Sequence, residues 1–80
     1  MSAPARRIDC RGLYCPVPII RTAEAIRDMA EGEVLELLGD DPGIREDLPA
    51  WCRSTGHELV DLTTREDLIA GSVRKRTRRR

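Results

Sequence analysis

Two prolines one residue apart, Pro16 and Pro18, constrain this chain more than any other feature. Proline locks φ near about −65° and has no N–H, so it disrupts helix interiors and central strands. It fits the first helical turn, where the missing donor would have had no partner. Beyond the prolines, Ile19, Ile20, Ala23, Ile26 and Ala30 fall on one stripe at helical spacing. Arg21, Glu24, Arg27 and Asp28 fall on the wet side, and Gly32 closes the segment. The pattern predicts a helix over 16–30 and places Cys15 at or just before its start. A thiol at that position faces unpaired backbone N–H groups and the positive end of the helix dipole. Such a setting favours the thiolate, which is the nucleophile. An activated, surface-accessible cysteine is therefore expected at Cys15.

The rest of the chain reads as short elements punctuated by turns. A strand is predicted over 7–10, with Ile8 and Cys10 on one face and Asp9 and Arg11 on the other. Residues 11–14 turn the chain, with Gly12 permitting an unusual backbone angle. A second strand is predicted over 33–38, and Gly39-Asp40-Asp41-Pro42-Gly43 is a dense turn signal. The second helix is expected over 47–55, with Asp47 as N-cap, Pro49 in the first turn and Gly56 just past the end. Strands over 57–62 and 67–73 follow, joined by a turn at 63–66. The order is βαβαββ. Each helix must bury one apolar stripe, and an α/β two-layer sandwich does so, with two helices on one face of a four-stranded mixed sheet. The last two strands should pair antiparallel.

At 80 residues a single domain with a small core is expected. Trp51 and Tyr14 are the only aromatic side chains, so aliphatic residues must fill the interior. No apolar run approaches a membrane span. The first residues have no apolar secretory region, which points to a cytoplasmic, reducing setting. Six of the fourteen basic residues lie in 74–80. Eight basic and fourteen acidic residues remain in 1–73, a net charge of −6. The expected organisation is a flexible leader over 1–6, one domain over 7–73 and a disordered basic tail over 74–80. That tail could touch tRNA or an acidic protein face.

Three cysteines make no disulfide framework, and with one histidine they make no zinc site. Pro18 occupies the position where a dithiol motif starting at Cys15 would need its second cysteine. A lone activated thiolate suits covalent carriage better than internal disulfide chemistry. Cys10 is either a small core residue or an auxiliary relay thiol, and Cys52 lies on the apolar face of the second helix. His57 reads as a structural residue at a strand end. Arg11 could stabilise a sulfur anion, and Asp9 could cap the loop or pair with Arg11. Asp40 and Asp41 are explained by the turn they sit in. Nothing in the sequence calls for a cofactor, a metal or a membrane, and a monomer is expected.

The run Ile8-Asp9-Cys10-Arg11-Gly12-Leu13-Tyr14-Cys15-Pro16-Val17-Pro18 resembles the signature of the TusA-like (SirA-like) sulfur-carrier family. A second stretch is also similar: Asp40-Asp41-Pro42, Asp47-Leu48-Pro49-Ala50-Trp51-Cys52 and Gly56-His57-Glu58-Leu59. The resemblance spans about 8–75. It implies the two-layer α/β sandwich already read from the element order. It also implies a sulfurtransferase in which Cys15 takes sulfane sulfur as a persulfide, framed by Gly12, Pro16 and Pro18. The implied donor is a cysteine desulfurase or a rhodanese-like protein, and the implied acceptor is a DsrE-like or other relay protein. The sulfur would serve tRNA thiolation, cofactor supply or sulfur oxidation. Cys10 and the arginine-rich tail lie outside the signature. Docking surfaces would include Arg11, Tyr14 and Arg21. Two other classes stay open: a small RNA-binding module using the tail, and a regulatory protein with Cys15 as a redox sensor.

Overall fold

Helices and strands follow the predicted order in the computed structural model of the chain, which describes residues 3–77. They are β1 (Arg6–Asp9), α1 (Val17–Arg27), β2 (Val34–Gly39), α2 (Ile44–Thr55), β3 (Glu58–Arg65) and β4 (Leu68–Arg74). The sheet order is β1-β2-β4-β3. β1 is parallel to β2, and β4 runs antiparallel to both β2 and β3. β1, β2 and β3 therefore share one direction, with β4 opposing them between β2 and β3.

Alternation along the strands chooses the face that the helices cover. Leu35, Leu37 and Gly39 of β2 are buried, and they oppose Val73, Gly71 and Ile69 of β4, which are buried too. Ile44, Leu48 and Cys52 of α2 and Pro18, Thr22 and Ile26 of α1 complete the packing. Two of the sheet positions are glycine because a helix comes close there: a Cβ on Gly39 would collide with Ile44 Cδ1, and one on Gly71 with Leu48 Cδ2.

The buried stripe of α1 differs from the predicted one. Pro18, Thr22 and Ile26 are buried, whereas Ile20 is 50% exposed and Ala30 is exposed. Thr22 is fully buried because its Oγ1–H donates to Pro18 O at 2.9 Å, which satisfies the hydroxyl within the helix. A polarity pattern alone sets threonine on the wet side.

Helix α2 starts three residues before the expected Asp47, with Gly43 as its N-cap. Ile44 explains the difference. It is completely buried and sits one helical turn before Leu48, so burying both extends the helix backwards. Pro49 then falls inside the helix, where it removes the N–H that would bond the carbonyl of exposed Arg45. The hairpin also runs longer than predicted. Thr63, Thr64 and Arg65 pair with Ala70, Ile69 and Leu68, which leaves only Glu66 and Asp67 as the turn.

The domain limits shift at both ends. Ala5 N–H donates to Val34 O, and Arg6 already belongs to β1, so the leader is shorter than 1–6. At the other end Arg74 belongs to β4. Lys75 exchanges backbone hydrogen bonds with Gly32 and Glu33, and Thr77 N–H donates to Glu31 Oε1 at 2.8 Å. The tail over 74–77 is therefore bound to the domain, and 78–80 lie outside the described residues. Among the described residues no helix is long and apolar enough to cross a membrane.

Candidate functional site

Parallel neighbours β1 and β2 end at the same edge of the sheet, and sites of α/β sheets gather at the carboxyl ends of such strands. From β1 the chain loops through 10–16 into α1, and from β2 through 40–43 into α2. Hydrogen bonds knit the two loops together. Cys10 N–H donates to Leu38 O at 2.7 Å, Gly12 N–H to Asp40 Oδ1 at 3.0 Å, and Cys15 N–H to Asp41 Oδ2 at 2.7 Å. Asp41 Oδ1 also accepts from Gly43 N–H at 3.2 Å. One carboxylate thus holds its own turn and the backbone of Cys15. Gly12 has φ +84°, a left-handed angle that a side chain would resist.

The Cys15 side chain is half-buried and rests on the start of α2. A Cβ built on Gly43 would lie 3.5 Å from Cys15 Sγ and 3.4 Å from Asp41 Oδ2. The thiol therefore sits between the first turns of both helices, beside the carboxylates of Asp47 and Asp41.

The expected thiolate setting is not what this arrangement provides. The prolines that announce α1 also remove two of its first amides, since Pro16 and Pro18 carry no N–H. The others are already engaged: Val17 N–H donates to Tyr14 O at 2.9 Å, and Ile19 and Ile20 N–H donate to Pro16 O. Burial pushes the Cys15 thiol up to about 12, and Asp47 and then Asp41 add to the shift by holding and repelling. The resting sulfur is a protected thiol, not a stored anion.

Asp9 and Arg11 pair with each other. Arg11 donates from Nε to Asp9 Oδ1 at 2.9 Å and from a terminal nitrogen to Oδ2 at 2.7 Å, and its backbone N–H also reaches Oδ1. The Arg11 side-chain bonds hold the Asp9 carboxyl down to about 2. Arg11 is thus committed to Asp9. Cys10 is 1% exposed, and burial raises its thiol above the ordinary range. Cys52 is buried as well and is pushed up to about 11. His57 is structural: Nδ1 accepts the Arg76 N–H at 3.1 Å, and the ring lies 5.2 Å from Trp51, centroid to centroid. Burial lowers its basicity.

Asp40, Asp41, Gly43 and Asp47 belong to this site and were not among the residues singled out for it. The turn chemistry of 39–43 accounted for the first three and hid their second task. The similarity of the second block, which contains Asp40, Asp41 and Asp47, was the available signal.

A shallow cavity of about 280 Å³ adjoins this end of the sheet, lined by Arg11, Asp40, Arg65, Glu66, Asp67 and Leu68. Close to Cys15 in sequence three apolar side chains are exposed: Tyr14 at 76%, and Val17 and Ile20 in the first turn of α1. The basic tail leaves from the opposite end. Arg74 pairs with Val34, whereas Ile69 pairs with Gly39, and five strand steps separate the two by on the order of 17 Å. Among the described residues no three His, Cys, Asp or Glu side chains cluster as a metal site would require.

Comparison with known proteins assigns this architecture. The family described as "Sulfurtransferase TusA" matches residues 6–75. The chain is 38% identical over 68 residues to the "Putative sulfur carrier protein YrkI" of Bacillus subtilis, covering 85% of this chain and 91% of that one. An Archaeoglobus fulgidus protein of the same designation is 40% identical over 70 residues, covering 88% of this chain and 91% of its own length. Among solved structures, the SirA-like protein of Desulfitobacterium hafniense superposes with a TM-score of 0.76 at 25% identity, covering 86% of this chain and 95% of that one.

Proposed function

This chain belongs to the TusA sulfurtransferase family, and we propose that it carries sulfane sulfur as a persulfide on Cys15. One observation carries the choice of residue. All three cysteines are free thiols, and only Cys15 reaches the surface, while Cys10 and Cys52 are buried. A carrier must meet the sulfur of a donor and then that of an acceptor, so an enclosed thiol cannot serve.

The proposed cycle is two exchanges of the thiol–disulfide kind. The Cys15 sulfur attacks the outer sulfur of a donor persulfide, and the donor thiol departs. An acceptor cysteine then attacks the sulfur held on Cys15, and Cys15 returns to its thiol. The donor is a cysteine desulfurase or a rhodanese-like protein, and the acceptor a DsrE-like or other relay protein. The end use is tRNA thiolation, cofactor sulfur supply or sulfur oxidation. Gly12 and Pro16 shape the loop that presents the sulfur, Pro18 sits in the first turn of α1, and Asp41 ties the loop to the turn before α2. Exposed Tyr14, Val17 and Ile20 give the partner an apolar rim beside the sulfur. The reading places the protein in the reducing cytoplasm, where a free thiol persists.

An RNA-binding role for the tail finds less support. Arg74 and Arg76 both donate to Glu58 Oε1, and Lys75 Nζ donates to the carbonyls of Arg27 and Met29. Three of the six tail cations are thereby engaged with the domain, far from Cys15.

Incubation with a cysteine desulfurase and free cysteine, followed by intact mass measurement with and without reductant, tests the assignment. Wild type gains one reducible sulfur, and Cys15→Ala gains none. Sulfur retained in Cys15→Ala and lost in Cys10→Ala overturns the assignment.

A further inference from the structure

Glycine loses more conformational freedom on folding than any other residue, so each of the six glycines here asks for a cause. Gly12, Gly32 and Gly56 have φ between +84° and +91°, where a side chain is strained. Gly39 and Gly71 lie beneath Ile44 and Leu48, with which a Cβ would collide. Gly43 has neither cause. Its φ of −59° and ψ of −22° are ordinary helical angles that any residue adopts. A Cβ built there would meet no core side chain. Its nearest neighbours would be Asp41 Oδ2 at 3.4 Å and the Cβ and Sγ of Cys15, both at 3.5 Å. These are ordinary van der Waals contacts, so alanine fits. What a side chain at 43 changes is the surroundings of the sulfur.

The glycine is held against that sulfur from two sides. Asp41 accepts the Gly43 N–H through Oδ1 at 3.2 Å and the Cys15 N–H through Oδ2 at 2.7 Å, so one carboxylate fixes the spacing of the two residues. Ile44, next in sequence, is completely buried and anchors the same turn in the core. A Cβ at 43 would stand equally far from the Cβ and the Sγ of Cys15, and therefore alongside the bond that joins them. A second sulfur on Cys15 stands about 2.05 Å from Sγ, bent off the Cβ–Sγ axis. On the Gly43 side it would fill the space that such a Cβ takes.

We propose that Gly43 determines access to Cys15: its missing side chain leaves the space into which the donor's outer sulfur moves and in which it then lies. This rests on the persulfide reading above. In the loading step a bond forms between Cys15 Sγ and the outer sulfur of the donor persulfide. The sulfur–sulfur bond of the donor breaks, and its electron pair leaves on the donor thiolate. The proton that Cys15 loses ends on that thiolate through water. One thiol and one persulfide become one persulfide and one thiol, with no net oxidation. A side chain at 43 leaves the thiol and its loop in place and removes the room for the second sulfur.

The test is single-turnover loading of the full chain from cysteine persulfide at pH 7, followed by intact mass, with an unfolding curve for each variant. Wild type acquires one sulfur on Cys15. Gly43→Ala unfolds at or above the wild-type midpoint, because its angles suit alanine, and loads about two- to threefold more slowly. Gly43→Leu, whose longer side chain covers more of the sulfur, loads about tenfold more slowly or worse. Gly43→Leu with the wild-type unfolding curve and the wild-type loading rate overturns the proposal. If Gly43→Leu does not match that curve, Gly43→Ala decides alone, and loading at or above the wild-type rate overturns the proposal. Failure of wild type to place sulfur on Cys15 overturns the persulfide reading instead.

Discussion

The backbone N–H of Cys15 donates to Asp41 Oδ2 at 2.7 Å, joining two loops 26 positions apart in sequence. Through this bond the turn after β2 decides where the Cys15 sulfur stands. The same carboxylate holds Gly43, against which that sulfur packs.

Replacing Asp41 by alanine leaves two amides without their acceptor. Hydrogen bonds to a charged group are worth about 1.5–3 kcal/mol where shielded and less in a half-buried site. Asp41→Ala should lower the midpoint in denaturant titrations. It should also lower the Cys15 titration midpoint, because one of the neighbouring negative charges is gone. Asp41→Asn, which keeps one acceptor oxygen, should lose less stability.

Stability should decline in alkali for a specific reason. Burial and the neighbouring Asp47 and Asp41 raise the Cys15 thiol to about 12, and burial raises Cys52 to about 11, from an ordinary 9.0. Between those limits the unfolded chain has released protons that the folded chain retains. The contribution is therefore complete below about pH 9 and is lost as pH rises toward 12. Unfolding curves at pH 7, 9 and 10.5 should show this loss, and Cys15→Ser should show less of it.

Gly39→Ala should destabilise the protein by about 1–3 kcal/mol through overpacking. The added Cβ meets Ile44 Cδ1, which is fully buried and has no room to yield. Because Ile44 opens α2 beside Gly43, thermal unfolding should report the loss of stability while alkylation of Cys15 speeds up as its cover loosens.

Lys75→Ala removes a cation from the end of α1, where Nζ donates to Met29 O at 2.6 Å and Arg27 O at 3.0 Å. Capping carbonyls at a helix C-terminus is worth about 0.5–1.5 kcal/mol. A loss of that size in denaturant titrations is expected, with the Cys15 alkylation rate unchanged, since the cap lies at the far end of the sheet.

Local rules read the element order well because each element carried its own punctuation. Pro16 and Pro18 marked α1, Gly56 ended α2, and alternation marked β2 and β4. They misplaced the start of α2 because Pro49 imitates a helix opening, and only the packing of Ile44 beneath Gly39 shows otherwise. Thr22 was missing from the expected apolar stripe because its hydroxyl is satisfied within its own helix, which polarity does not reveal. Lys75 and Arg76 looked like free tail charges because their acceptors, on α1 and at His57 and Glu58, are distant in sequence.

The sequence by itself singled out the candidate atom: one cysteine set between a turn and a proline-opened helix, in a run that matches a known signature. Tertiary structure decided the state of that atom. A thiol's charge depends on every amide and carboxylate within a few ångströms, and here those groups arrive from a second loop and a second helix. They reverse the local expectation, setting a guarded thiol where the sequence predicts an anion.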